Sequence, residues 1–228
     1  MKRRARDFFA PPGTQAALFM GARLCQFQYQ QGSEIRSKHV TPSTIRLAFN
    51  EEPLDTGWLA RGVVRWGMTP AGVFAVGYYA PAVYKLSIEF DKGRARRLRV
   101  PMPAIVFAGI GHNYYVWAMK ENRPNPKAAL FYAPLPNLNE LGLICFGNNA
   151  HPDVRDGGFA TSWQMFWDAP FSGHHAKSRS RRAPADVRTH LLQLSNARAT
   201  KFPLSALLPM DVTLGDAVER LIYRERRR

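Results

Sequence analysis

Cysteine is scarce in this chain, with only two among 228 residues. Two thiols cannot build the disulfide framework on which small secreted domains depend. The longest mostly apolar run, at about residues 100–110, is too short for a membrane-spanning helix and is interrupted by prolines. No apolar signal core follows the basic N-terminus. These absences predict a soluble, cytoplasmic protein with reduced thiols and no membrane partner.

Acidic residues are also few, since 17 Asp and Glu face 32 Lys and Arg and give a net charge of +15. Such an excess favours contact with nucleic acid or with an acidic protein surface. The chain shows no zinc-finger, helix-turn-helix or RNA-recognition pattern, and specific binding needs an element that reads bases. Nucleic acid is therefore one candidate partner, through four basic clusters at residues 2–6, 94–99, 177–182 and 224–228.

The first quarter of the chain has the pattern of β structure. Residues 24–29 largely alternate apolar and polar side chains, as a half-buried strand does. A turn at residues 31–33 leads to a predicted returning strand at residues 34–40. Another strand is predicted at residues 44–49.

A helix is predicted next, because Leu54, Trp58, Val63 and Trp66 fall near helical spacing and Gly67 could end it. Four strand-like runs follow at residues 73–79, 83–90, 97–107 and 114–119. The short turns between them favour an antiparallel meander. Prolines 101 and 103 suggest that the third strand lies at an edge or contains a bulge.

A long loop and then helices complete the pattern. Helices are predicted to begin near Ser162 and to cover residues 185–194 and 214–223. Neither a zinc-type spacing nor a complete glycine-rich nucleotide loop occurs, so no metal and no cofactor are predicted.

The long loop carries the most specific pattern in the chain, at residues 136–145. Asn137 precedes Cys145 by eight residues, and a Gly-x-Ile sequence leads into the cysteine. A thiol at the end of a polar loop has the accessibility that a nucleophile needs, although a free cysteine is often a small buried hydrophobe. The other cysteine, Cys25, lies in the alternating strand and is expected to be structural.

This pattern resembles the active-site segment of ubiquitin-conjugating enzymes, in which His-Pro-Asn is followed by Gly-x-Ile-Cys. Five residues match position by position: Pro136, Asn137, Gly142, Ile144 and Cys145. Leu135 stands at the histidine position, and Asp153 stands where the family has a tryptophan. The order of predicted elements over residues 52–200 is also similar to that family.

The resemblance implies an α+β, ubiquitin-conjugating-like fold with a four-stranded antiparallel meander flanked by helices and an N-terminal β extension. The chain is expected to divide into a basic tail with a β-rich extension (residues 1–50), a conjugating-like domain (51–200) and a basic C-terminal segment (201–228). The pattern Tyr132-x-Pro134 with Asn137, followed by residues 142–148, is more specifically similar to a bacterial branch that includes protein B of the plasmid-borne PRTRC cassette. Residues 61–67 and 115–118 strengthen this similarity.

The implied chemistry is acyl transfer by Cys145. Its thiolate would take the carboxyl terminus of a ubiquitin-like modifier from a ThiF-like activating protein as a thioester, which a lysine amine then attacks. Asn137 would donate an amide N–H to the tetrahedral oxyanion, or would only shape the turn; the sequence favours neither.

Two other hypotheses remain open. The missing histidine and the high charge favour a non-catalytic scaffold of the same fold, whose basic surface could contact DNA in plasmid maintenance. A cysteine hydrolase would pair Cys145 with a histidine, of which His151 is the next in sequence.

Overall fold

The structure, a computed structural model, describes residues 15–20, 24–48, 58–69, 72–91 and 93–223. The chain divides into two units, residues 1–57 and residues 58–228. The mixed α+β composition predicted from the sequence is confirmed, with antiparallel sheets predominating over a few short helices. No helix within the described ranges is long and apolar enough to cross a membrane.

The first unit contains a three-stranded antiparallel sheet of β1 (Ala16–Met20), β2 (Cys25–Gln31) and β3 (Glu34–Val40), in that order. Gln31 pairs with Glu34 across the predicted turn, where Gly32 has a φ of 64°. A positive φ is strained for residues with a Cβ, which explains the glycine. The predicted returning strand at residues 34–40 is confirmed.

The strand predicted at residues 44–49 is wrong, because a short helix, α1 (Pro42–Ala48), occupies the described part of this range. Residue 49 lies outside the described residues. The Thr41 hydroxyl accepts a hydrogen bond from the Thr44 amide over 3.2 Å. A threonine cap followed by proline at the first helical position starts a helix here despite the β-branched residues.

The second unit contains eight strands and three longer helices among its described residues. The strands are β4 (Val63–Thr69), β5 (Gly72–Tyr79), β6 (Ala82–Asp91), β7 (Arg94–Met102), β8 (Ala104–Ile110), β9 (Asn113–Met119), β10 (Ala129–Tyr132) and β11 (Pro209–Thr213). The helices are α2 (Gly158–Asp168), α3 (Val187–Asn196) and α4 (Leu214–Tyr223).

The helix predicted between Leu54 and Trp66 is wrong in the part of this range that the structure describes. Residues 51–57 lie outside the described residues, and β4 occupies the second half of the predicted helix. Gly62 has a φ of 87°, which a right-handed helix does not allow. A Cβ on Gly67 would lie 2.6 Å from the Phe74 ring, so the pairing of β4 with β5 uses a glycine that sequence analysis took for a helix end.

The four predicted strands do not form one meander. The main sheet has the order β11-β10-β9-β8-β5-β4, and β6 and β7 form a separate hairpin. The third predicted strand is two strands, β7 and β8, which Pro103 separates. Every residue of β8 is buried, so β8 belongs at the centre of the sheet, whereas β6 and β7 have many exposed residues and cover only one face.

Alternate residues of β8 point into two apolar layers. Phe107 packs in a layer built with α2, α3 and the β6–β7 hairpin. Val106 packs in the opposite layer, which α4 covers through Leu214 and Val218. The main sheet is therefore covered on both faces, and its strands can be apolar on both sides.

The predicted late helices are confirmed. The prediction for α4 gave its observed bounds, and α2 and α3 begin within a few residues of their predicted starts. Two short strands, β10 and β11, are not predicted from the sequence; they extend the main sheet beside β9.

Candidate active site

The candidate cysteine lies at the end of a loop that is hydrogen-bonded along the edge of β9. The Val116 amide donates to the Gly142 carbonyl over 2.8 Å, and the Ile144 amide donates to the Tyr114 carbonyl over 2.8 Å. An antiparallel bridge joins loop and strand at the residues in between. Because β10 pairs with the other end of β9, these bonds make the loop a continuation of the sheet edge.

Gly142 allows this close approach. Its φ is 83°, and a Cβ there would lie 2.5 Å from Trp117 Nε1 and 2.7 Å from the Val116 carbonyl oxygen. The Trp117 indole N–H donates to the Leu141 carbonyl over 2.8 Å. Both the backbone angle and the available space therefore require glycine at this position.

Asn139, which sequence analysis did not single out, closes the turn before Gly142. Its side-chain oxygen accepts hydrogen bonds from the Leu141 and Leu143 amides, each over 2.9 Å. Its own amide donates to the Leu143 carbonyl over 2.9 Å. An asparagine three residues before a glycine, in a polar turn, is the sequence feature that could have indicated this role.

Cys145 follows directly on this turn and is exposed, whereas the preceding Ile144 is buried. The Cys145 amide donates to the Asn137 carbonyl over 2.9 Å. A bridge between Leu138 and Ile144 lies beside this bond. The backbone at the cysteine is thus fixed on both sides, while its thiol forms no hydrogen bond with any residue that the structure describes. Cys25, in contrast, is buried in the first unit.

Asn137 forms hydrogen bonds through both its backbone and its side chain. Its φ is 60°, which asparagine tolerates better than most residues, and its amide donates to the His174 carbonyl over 2.7 Å. Its Oδ1 accepts from the Ser172 amide and hydroxyl over 3.3 and 3.0 Å, and its Nδ2 donates to the Pro170 carbonyl over 3.1 Å. These partners define which side-chain atom is nitrogen. The second Nδ2 hydrogen has no acceptor among the described residues.

A family model for prokaryotic E2 family D matches residues 37–210 and so includes the whole cysteine loop and the segments that hold it. The chain belongs to prokaryotic E2 family D. Because E2 is the short name for ubiquitin-conjugating enzymes, the resemblance inferred from the sequence is confirmed at the level of this bacterial family. No curated protein and no solved structure matches the chain.

Leu135, at the histidine position of the E2 pattern, is fully buried. It packs in the layer that also contains Leu138 and Ile144. An apolar side chain there offers the loop no hydrogen bond. Asp153, the other departure from the pattern, accepts a hydrogen bond from the Arg155 amide over 2.7 Å and caps a short 3-10 turn.

A second loop, residues 170–179, packs against the cysteine loop of this E2-family protein. Besides its bonds to Asn137, it contributes Arg179, whose side chain is buried and donates to the Leu138 and Asn139 carbonyls. In the sequence, Arg179 is only one member of the basic cluster at residues 177–182. Its burial shows that this cluster is not one exposed basic surface.

No histidine is hydrogen-bonded to the Cys145 thiol among the described residues. The His151 ring stacks on Phe146 with centroids 4.6 Å apart, and its Nδ1 lies 3.2 Å from the Asn149 carbonyl oxygen. Among the described residues, Cys145 and His151 thus form no hydrogen-bonded nucleophile–base pair. Within the described part of the chain, no group of three or more His, Cys, Asp or Glu side chains could hold a metal ion.

Proposed function

We propose that this protein is a ubiquitin-conjugating-like acyltransferase. Cys145 carries a ubiquitin-like modifier as a thioester and passes it to an amine. Membership of prokaryotic E2 family D supports this function. The observation that carries it is the exposed Cys145 thiol, which stands on a backbone held by Asn137 and by the edge of β9.

Two steps make up the proposed reaction. The Cys145 thiolate attacks the carbonyl carbon of the modifier's thioester on an activating protein; a new C–S bond forms, and the donor sulfur leaves as a thiolate. An amine then attacks the Cys145 thioester; a C–N bond forms, the bond to Sγ breaks, and the amine proton passes to solvent. Both steps form a tetrahedral oxyanion, which the second Nδ2 hydrogen of Asn137 is available to stabilise.

The proposed partners follow from this chemistry. A carboxyl terminus must be activated before a thiol can accept it, so a ThiF-like adenylating protein is required upstream. We place the protein with a ubiquitin-like modifier in a plasmid-borne PRTRC cassette, in the role of its protein B. A catalytic free thiol also suits the reducing cytoplasm.

Thioester trapping tests the proposed function. The protein is incubated with ATP, the ThiF-like protein and the candidate modifier, and a non-reducing gel is run. We expect an adduct that disappears with thiol reductant and is absent from Cys145→Ala. Cys145→Ser should retain an adduct that resists reductant, because a serine ester is not cleaved by thiols. Cys25→Ala is the matched control and should form the wild-type adduct, since Cys25 is buried in the first unit.

An adduct that persists in Cys145→Ala would contradict the assignment of the nucleophile. No adduct with any component, while an alkylating probe still labels Cys145, would contradict the transfer reaction itself.

A second function, contact with a polyanion such as DNA, is favoured by the outer face of the β6–β7 hairpin. Lys85 lies directly opposite Arg99, and Arg97 follows on the same face. All three are exposed, and none forms an ion pair with another described residue. Like charges opposite one another destabilise an antiparallel pair, so a bound chain of phosphates would stabilise this face.

Fluorescence anisotropy with a labelled DNA duplex, measured over a range of salt concentrations, tests this contact. Replacing the three residues with glutamate should weaken binding and reduce the slope of log K against log salt by about 3. A control variant reverses the same number of charges at exposed positions outside the hairpin: Arg123, Lys127 and Lys201. Equal effects of the two variants would mean that only net charge matters, and no binding at low salt would exclude DNA.

A further inference from the structure

We infer that Arg179 is the positioning residue of this site. Its guanidinium holds the cysteine loop in the shape that places Cys145 and Asn137 for acyl transfer. The inference rests on the proposed function of Cys145 and assigns to Arg179 a role that the E2 pattern does not contain.

Arg179 carries a buried charge, and removing that charge from water costs free energy. Only 3% of the residue is exposed, and it forms no ion pair with a carboxylate among the described residues. Burial lowers the pKa of the guanidinium, and the nearby Glu140 carboxylate partly opposes that shift. An arginine nevertheless stays protonated in proteins, so its burial is tolerated only where hydrogen bonds compensate for lost water.

The compensating bonds come from Nη2 and Nε and go to the backbone of the two loops, while Nη1 is buried without a hydrogen-bond partner among the described residues. Nη2 donates to the Leu138 carbonyl and, over 2.7 Å, to the Asn139 carbonyl. Nε donates to the His175 carbonyl over 3.4 Å. The guanidinium also stacks over the Tyr132 ring, 5.0 Å from its centroid. One side chain thus joins residues 138–139 of the cysteine loop to the second loop and to β10.

The carbonyls that Arg179 bonds, those of Leu138 and Asn139, lie between Asn137 and Cys145 in the cysteine loop. Leu138 directly follows Asn137 and is bridged to Ile144, the neighbour of Cys145. Asn139 closes the turn that ends at Gly142. A shift of residues 138–139 would therefore move the Asn137 amide and the Cys145 thiol relative to one another.

Leu135 supplies no hydrogen-bond donor from its side chain to the cysteine loop. The E2 pattern has a polar histidine one residue before its proline, but here that position is apolar and fully buried. The loop must find its donors elsewhere, and the guanidinium supplies them from a segment 41 residues away from Leu138.

The experiment separates positioning from fold stability through two reactions of Cys145. One probe is a glycine-ended peptide thioester, whose exchange onto Cys145 passes through an oxyanion. The other is iodoacetamide, whose alkylation of a thiolate forms no oxyanion. Both adducts are quantified by mass spectrometry on the Cys145 peptide, below the melting temperature of each variant.

We expect Arg179→Met to lower the thioester exchange rate by at least about tenfold, because misplacement of reacting groups by about 1 Å can cost on the order of 100-fold. Alkylation should stay within about twofold of wild type, since Cys145 is already exposed. Arg179→Lys should recover part of the exchange rate, and guanidinium ion should recover part of it in Arg179→Ala. Arg188→Met is the matched control, because Arg188 also bonds a backbone carbonyl, that of Glu89, but outside the cysteine loop.

Equal loss of exchange in Arg179→Met and Arg188→Met, or parallel changes in exchange and alkylation, would overturn the inference. If Arg179→Met does not fold, the inference is tested with Arg179→Lys. A wild-type exchange rate in this variant would show that the guanidinium bonds to the two loops are not needed. Exchange absent already in the wild type would instead contradict the proposed function.

Discussion

Gly142→Ala is expected to lower the free energy of unfolding of the second unit by about 3–7 kcal/mol. Three effects add at this position. A residue with a Cβ at a φ of 83° costs about 1–3 kcal/mol. A Cβ placed 2.5 Å from Trp117 Nε1 and 2.7 Å from the Val116 oxygen forces the loop away from β9, at a cost of about 1–3 kcal/mol. The bond from Trp117 to Leu141 is then weakened, which loses about 1 kcal/mol.

Gly147→Ala separates the first of these effects from the others. Gly147 has a φ of 63°, and a Cβ there would meet nothing within 4 Å. Its substitution should therefore cost only the backbone strain. Chemical denaturation followed by tryptophan fluorescence measures both variants, since Trp117 reports directly on the loop. Equal losses in the two variants would show that the loop moves freely away from β9 and that Gly142 is needed only for its φ.

The contrast between Gly142 and Gly67 shows what the sequence could predict. Near Gly142, the pattern of a turn leading into a cysteine was local, and the structure has the turn where it was expected. Near Gly67, the spacing of Trp58, Val63 and Trp66 suggested a helix, but β4 forms because it pairs with β5. The spacing of apolar residues within one segment does not show which distant strand that segment pairs with. Here the pairing of β4 with β5 outweighed the helical spacing.

The order of the strands in the main sheet could not be predicted from the sequence for the same reason. Short turns correctly predicted the β6–β7 hairpin, but they could not show that β5 pairs with β8 and leaves the hairpin outside the main sheet. The unbroken apolar sequence of β8 could have indicated its central place, because a strand that is apolar on both faces belongs inside a covered sheet.

Arg179 was the hardest residue to predict. In the sequence it lies in a basic run, and such runs are usually solvated. Its role depends on contacts with residues about 40 positions earlier, which no local pattern records. The nearness of Cys145 and Asn137 in one loop could therefore be predicted from the sequence, but the second loop that holds them could not.

Asn137→Asp is expected to lower the rate of acyl transfer to Cys145 by about 100-fold or more, the typical loss when one oxyanion donor is removed. Aspartate tolerates the φ of 60° and keeps an oxygen for Ser172, but it has no hydrogen to donate. It also places a second oxygen toward the Pro170 carbonyl, which we expect to cost about 1–3 kcal/mol of stability. Transfer is measured with the same peptide thioester, and stability by chemical denaturation.

Ser172→Ala distinguishes a donor from a structural asparagine. This change removes the 3.0 Å bond to Asn137 Oδ1 and the acceptor of the His174 amide, yet it leaves the Nδ2 group of Asn137 untouched. It should cost about 1 kcal/mol of stability while the transfer rate stays within a few-fold of wild type. If transfer instead falls in proportion to lost stability in both variants, Asn137 acts by shaping the loop alone. A loss far larger in Asn137→Asp than its stability explains would support a direct action of the Asn137 Nδ2 group on the oxyanion, because Ser172→Ala leaves that group in place.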